Sequence, residues 1–561
     1  MRKAIVKNQN KLVSVVLSFL LILQTIIGVF APVNISVTPP YVSQIEEAQA
    51  AAATWVGTTT AWATDSNWSP SGAPTATSDV IIDGTASAQP TISAGEVTIA
   101  SLTMSGASIL TLGSNLVITG NADINDLATL TYIQGTAANL TVNGTLTVYS
   151  GGTITCPYTS LTVPDSGGSG RTITAGNIDI QTGGSINADW LGFVAGAGPG
   201  KSTTDGGSYG GRGGDYQADG TIGPTYGSIT NPISLGSGGA STSGGGAIII
   251  SATDTVTING TLSADGKTGG EYSGVGSGGS INITAITLTG SGTIRANGGY
   301  SLHRGNGGGG RITITQTTGT TWTPIFQVFG GPAGGEGAKG AAGTIYLQDA
   351  NDAAGVGELI INNNNVATTA GTDTDISSLV TDTAVGDVII SGSGKLQMDA
   401  DTTLTVSGTW TNSAGENLTA GTVTFDSTSS QNITSGSKSF YNTIFNGTGG
   451  TWTPQDALDV NNNLTITTGT LASNDQAISV AGNWTNSVGN SGFTYGTSAV
   501  TLDGTSQSIL GSTTFNNLTK NVSSADTLTF GNGTTQTFMG TMNLQGTSGN
   551  LLSLRSDSTP I

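Results

Sequence analysis

The chain has 561 residues, 87 of them glycine, with only 9% charged residues and a formal net charge of −19. That balance excludes a nucleic-acid binder, which depends on Lys and Arg to neutralise phosphates; no Lys or Arg occurs between Lys11 and Arg171. It does not describe a disordered chain, because 36% of the residues are hydrophobic and Ile, Val and Leu recur in alternating runs.

Residues 1–50 read as a targeting segment. A basic stretch (Arg2, Lys3, Lys7, Lys11) precedes the apolar run 12–31, and Ala48–Ala50 offers small residues for cleavage. Cleavage before Ala51 is the preferred reading. The run is also long enough to span a bilayer, so an uncleaved anchor is the alternative. Either way the rest of the chain is exported, with a net charge of −21 once residues 1–50 are removed. Such a surface stays soluble and attracts Ca²⁺. Cys156 is the only cysteine, so no intramolecular disulfide can form.

Residues 51–200 open with three tryptophans, Trp55, Trp62 and Trp68, and continue in short alternating strands such as "LTVNGTLTV". Residues 201–350 are Gly-rich. Gly-rich turns feed strands at "GGGAIII", "GGSINI", "GGGGRITI" and "GAAGTIYL". Ala247, Ser280, Arg311 and Thr344 are equivalent, at intervals of 33, 31 and 33 residues. A second pattern places Asp189, Asp265 and Asn297 at matching positions. Residues 351–561 carry a repeat of 74 to 77 residues, in which Trp410 matches Trp484 and "TFDSTSSQNI" matches "TLDGTSQSIL". Asp426, Asp503 and Asp83 are then turn residues of a repeat. The last repeat is incomplete, which suggests truncation at the C-terminus.

Helical periodicity is absent after the targeting segment. Short strands and unequal repeats without regular hairpin signals predict an all-β fold, a parallel β-helix (β-solenoid) whose turns bury one column of apolar residues. About 20 turns at a strand spacing of ~4.8 Å would extend on the order of 100 Å. Asn, Thr and Ser would bond one another along the corners.

The opening Thr54–Asp83, with its Trp-x-Gly, Asn-Trp-Ser, Pro and Asp-Val-Ile-Ile elements, resembles the start of large secreted bacterial right-handed β-helix proteins. The later repeats resemble those of adhesin-like surface proteins and autotransporter passengers. The resemblance implies a structural or adhesive role at a cell surface. The chain departs from the autotransporter pattern in lacking a recognisable C-terminal barrel, and it has no sorting motif.

Candidate sites each have a plain structural counterpart. Trp55, Trp62 and Trp68 could stack on sugar rings, but a cap over the first strand edge is the favoured role. Arg295, His303, Arg304, Arg311 and Lys339 are five of the 13 Lys, Arg and His residues after residue 50, and could hold an acidic polysaccharide; solvated loop charges are the bland alternative. His303 is the only histidine, which rules out His–His metal sites. The pairs Asp373/Asp375 and Asp399/Asp401 have spacing that suits structural Ca²⁺, with simple turns as the competing explanation. No other cofactor is expected. The sequence therefore reads as a non-enzymatic surface protein, whose partners would be an extracellular or cell-surface polysaccharide or a host or neighbouring cell. Nucleic acid is not among them, and a membrane is met only through an uncleaved N-terminus. The alternative is a polysaccharide-binding or polysaccharide-degrading protein, which an acid cluster beside Arg295–Lys339 would favour.

Overall fold

The computed structural model describes residues 52–161, 168–216, 220–319, 323–331, 337–368 and 371–558. The targeting segment lies outside the described residues. Among the described residues there is no α-helix, and the only helical turns are 3-10, at Asp65–Asn67 and Asn490–Gly492.

The fold is all-β and dominated by parallel ladders. Alternation places one row of each strand inside. Leu116 pairs with Leu140, and the row continues through Ile173, Ile250, Ile283, Ile314 and Leu347. Every member is buried. Each large aliphatic side chain in such a row contributes roughly 1.5–3 kcal/mol by leaving water. One residue further along, the opposite face carries Thr98, Val117, Thr141, Thr174, Ser251, Thr284, Thr315 and Gln348 in register. The repeat equivalence read from the sequence is the physical register: Ala247 pairs with Ser280, Ser280 with Arg311 and Arg311 with Thr344.

The corners are held by amides, as the Asn-rich composition suggests. Asn442 Oδ1 accepts from the Asn463 backbone N–H, Asn463 Oδ1 from that of Asn483, and Asn483 Oδ1 from that of Ser508. Each side chain thus satisfies a backbone donor one layer along.

The Gly-rich runs are not surface turns. Gly307–Gly310 are all buried, as are Gly206–Gly211 and Gly274–Gly279 with the serines between them. These segments hydrogen-bond to neighbours on several sides. Gly308 N–H donates to Gly207 O (3.0 Å), Gly278 N–H to Gly308 O (2.9 Å), and Gly309 N–H to Ala341 O (2.9 Å). Glycine is required because the chains pack backbone on backbone: a Cβ on Gly343 would lie 1.7 Å from Gly310 O.

Buried apolar residues form two main clusters. One runs from Ala53 to Leu347; the other gathers Ile229 with residues from Ala342 to Leu528. Between them the strand Thr344–Gln348 pairs antiparallel with Glu358–Asn362, which then resumes parallel pairing with Val388–Ser391. A strap, residues 198–216 and 220–235, crosses this reversal. Its strand Gly227–Ser228 pairs with Val380–Thr381, Arg212 Nη2 lies 2.6 Å from Asp375 Oδ2, and Ile229 O accepts from the Thr313 hydroxyl at 2.9 Å.

Candidate functional site

The three opening tryptophans are buried and form an edge-to-face group. The ring centroids of Trp55 and Trp68 are 4.9 Å apart, and those of Trp62 and Trp68 4.7 Å. Two of the indole N–H groups donate to backbone carbonyls, Trp55 to Ala88 O and Trp68 to Trp62 O, both at 2.7 Å. No ring face is open to a sugar, so the stacking-platform expectation is corrected. A β-strand, Trp68–Ser69, pairs antiparallel with Ala53–Trp55 over the end of the first layer.

Arg311 is also corrected as a ligand residue. It is fully buried, donating to Tyr226 O (3.1 Å) and Thr344 Oγ1 (2.9 Å), with Tyr209 beneath the guanidinium at 5.5 Å. The strap supplies both tyrosines and covers the strand face from which this side chain projects.

Arg295 does stand beside an acid pair. Its Nε lies 2.9 Å from Asp265 Oδ2, and its Nη2 lies 3.8 Å from Asp189 Oδ2. The pair belongs to the Asx series read from the sequence. Asp189 Oδ1 accepts from Asp265 N–H, Asp265 Oδ1 from Asn297 N–H, and Asn297 Oδ1 from Phe329 N–H. Asp189 Oδ2 also accepts from the Ser263 hydroxyl. Three of the four carboxylate oxygens thus accept a hydrogen bond from the protein itself, and the fourth, Asp265 Oδ2, is ion-paired with Arg295. Burial, reinforced by Asp189, raises the Asp265 pKa to about 6.

The four aspartates proposed for Ca²⁺ do not converge. Asp375 is met by Arg212. Asp373 is buried, and burial together with the Glu416 charge raises its pKa to about 6. Asp399 Oδ2 accepts from Ser378 N–H at 3.0 Å, and Asp401 lines the same shallow recess. Among the described residues no group of three or more His, Cys, Asp or Glu is placed to hold a metal ion.

The remaining candidates do come together. His303 stacks on Tyr272, with centroids 5.1 Å apart and planes at 24°. The Arg304 guanidinium lies 5.7 Å from the Tyr216 ring centroid. The backbone ties these loops in sequence: His303 N–H donates to Glu271 O (2.8 Å), and Asn306 N–H donates to Ala338 O (2.8 Å), next to Lys339. Tyr272 is 71% exposed and Tyr216 41%. Neither tyrosine was singled out in the sequence, where a lone Tyr in a Gly-rich loop carries no pattern.

A cavity of about 470 Å³ was also not foreseen. It is lined by Asp352, Glu358, Asp387 and Asp426 together with Ser427, Ser429 and Gln431. Burial, then the neighbouring Asp387 and Asp352, raises the Glu358 pKa. Asp426 is thus more than a turn residue: it accepts from the Ser407 hydroxyl one layer away at 2.6 Å and faces this recess.

No family model matches the chain. Neither a curated protein nor a solved structure matches it.

Proposed function

We propose that the chain is an exported, right-handed β-solenoid of a bacterial surface, with a structural and adhesive rather than catalytic role. The observation that carries this reading is the outward row from Thr98 through Thr141, Thr174, Ser251, Thr284 and Thr315 to Gln348, in which seven of eight positions hold a hydroxyl or amide side chain in register. Such a face offers the same weak contact many times, and linked weak contacts add through effective concentration. An acidic surface keeps an exported protein soluble and free of nucleic acid.

A polysaccharide-degrading activity is the second reading, favoured by the acid pair beside Arg295 and by Asp265 titrating near 6. A general acid operates best with its pKa near the working pH. Against it stands the engagement of each carboxylate oxygen by a hydrogen bond or ion pair within the fold.

The test replaces Thr141, Thr174 and Thr284 by glutamate and measures retention of protein-coated beads on bacterial and host cells under flow. Retention is expected to fall with each added charge. Unchanged retention, or new reducing ends or unsaturated products from polysaccharides incubated with the protein, would refute the adhesive reading.

A further inference from the structure

We infer that the loop face formed by Tyr216, Tyr272, His303 and Arg304, flanked by Lys267 and Lys339, binds an acidic polysaccharide. The inference rests on the surface role proposed above for its setting and names the ligand class of one face.

The first observation is where cations go in this acidic chain. Arg171, Arg311 and Lys520 are fully buried. Arg212, Arg295 and Lys395 are ion-paired to aspartate or glutamate. Lys201, Lys267, Arg304, Lys339, Lys438 and Arg555 have no ion-pair partner among the described residues, and of these Lys267, Arg304 and Lys339 belong to consecutive layers of the Gly-rich region. What sets these three apart from Lys201, Lys438 and Arg555 is that they fall on neighbouring loops of one region.

The second observation is aromatic exposure at the same loops. Tyr272 is 71% exposed, with one ring face on His303 and the other turned outward. Tyr216 is 41% exposed beneath Arg304. A tyrosine ring has an apolar body and a polar tip, which suits the apolar face and hydroxyl rim of a pyranose. Layers spaced ~4.8 Å apart present these groups on the scale of a single sugar ring.

Charge complementarity selects the ligand. The acids next to this face are Glu271, Asp215 and Asp205; Asp215 is engaged by Gly220 N–H at 2.8 Å, and Asp205 is buried and accepts from Tyr216 N–H at 3.0 Å. The chain-wide negative charge is screened beyond about 8–10 Å at ordinary ionic strength, so a ligand at the loops meets the local cations. Nucleic acid, with a phosphate at every nucleotide, would be repelled by the rest of the surface and offered few cations in return. A polymer with one carboxylate per ring or fewer matches a face with few cations and two exposed rings.

The test is affinity electrophoresis of the full chain in gels containing polygalacturonate, dextran or double-stranded DNA. Retardation by polygalacturonate alone is expected, weakening as salt rises. Tyr272→Ala should weaken it about tenfold, and Arg304→Gln with Lys339→Gln should weaken it and flatten its salt dependence. The replaced side chains are exposed or partly exposed, and unchanged urea transitions establish that the variants fold. No retardation, equal retardation by dextran or DNA, or variants indistinguishable from the parent would overturn the inference. Protease accessibility on intact cells separates the two proposals: a displayed chain that ignores polygalacturonate sinks only this one, and a chain that is not displayed sinks the surface role.

Discussion

Arg171 is a buried cation held without a carboxylate, and replacing it by lysine isolates what its shape does. The guanidinium donates to five backbone carbonyls: Pro157 O at 2.7 Å, Thr136 O at 2.6 Å, Ala138 O at 3.0 Å, Ile133 O at 2.7 Å and Tyr158 O at 3.2 Å. Its plane lies over Tyr132, 4.8 Å from the ring centroid. Lysine keeps the charge but has three donors on one atom, so at least two of these carbonyls lose their partner. A buried acceptor left unsatisfied costs about 1–3 kcal/mol, which puts Arg171→Lys at roughly 3 kcal/mol. Urea unfolding measures the loss as a fall in midpoint at constant slope. Amide exchange should quicken first at residues 133–138, whose carbonyls the arginine gathers. A change below ~0.5 kcal/mol, within the range of ordinary surface substitutions, would show that water or local relaxation satisfies the carbonyls equally well.

Asp265 makes the stability fall with rising pH. Its folded pKa, about 6, lies above the usual 3.8, so its contribution is complete below pH ~4 and is lost as pH rises through ~6. Asp265→Asn copies the residue one layer along, Asn297, and should gain on the parent between pH 4 and 7 by on the order of 2–3 kcal/mol. Urea titrations at the two pH values check the slope, and a pH-independent difference would count against the account. Gly343→Ala, whose Cβ would strike a backbone oxygen, should cost about 3 kcal/mol or prevent folding. Gly355→Ala meets no atom within 4 Å and should cost only about 1–2 kcal/mol for its left-handed φ of +80°. Equal thermal shifts in the two variants would contradict the backbone-on-backbone packing.

Local repetition was legible, and long-range cover was not. The equivalence of Ala247, Ser280, Arg311 and Thr344 needed only spacing, because stacked layers turn sequence period into register. The Asp189, Asp265 and Asn297 series was legible for the same reason. Arg311 failed because alternation tells which face a side chain takes but not what lies on that face. The strap that buries it comes from some 80 residues earlier and has no strand pattern of its own. The Gly-rich runs failed similarly: glycine signals both a turn and a close approach of two backbones, and only the neighbours decide. The exposed tyrosines depend on which loops share a face, which spacing alone does not reveal.

The strap also bears on how the two cores would part under a pull. At the antiparallel reversal three residue pairs join Thr344–Gln348 to Glu358–Asn362. A pull that separates the two cores would open those few pairs in succession, like a zip. The strap runs past that point, with Arg212 on Asp375, Thr225 on Asp375 O and Ser228 on Asp382. Those side-chain bonds would also have to break before the two cores could part. A junction that the backbone joins by only three residue pairs is thus sewn across by a second thread of the same chain.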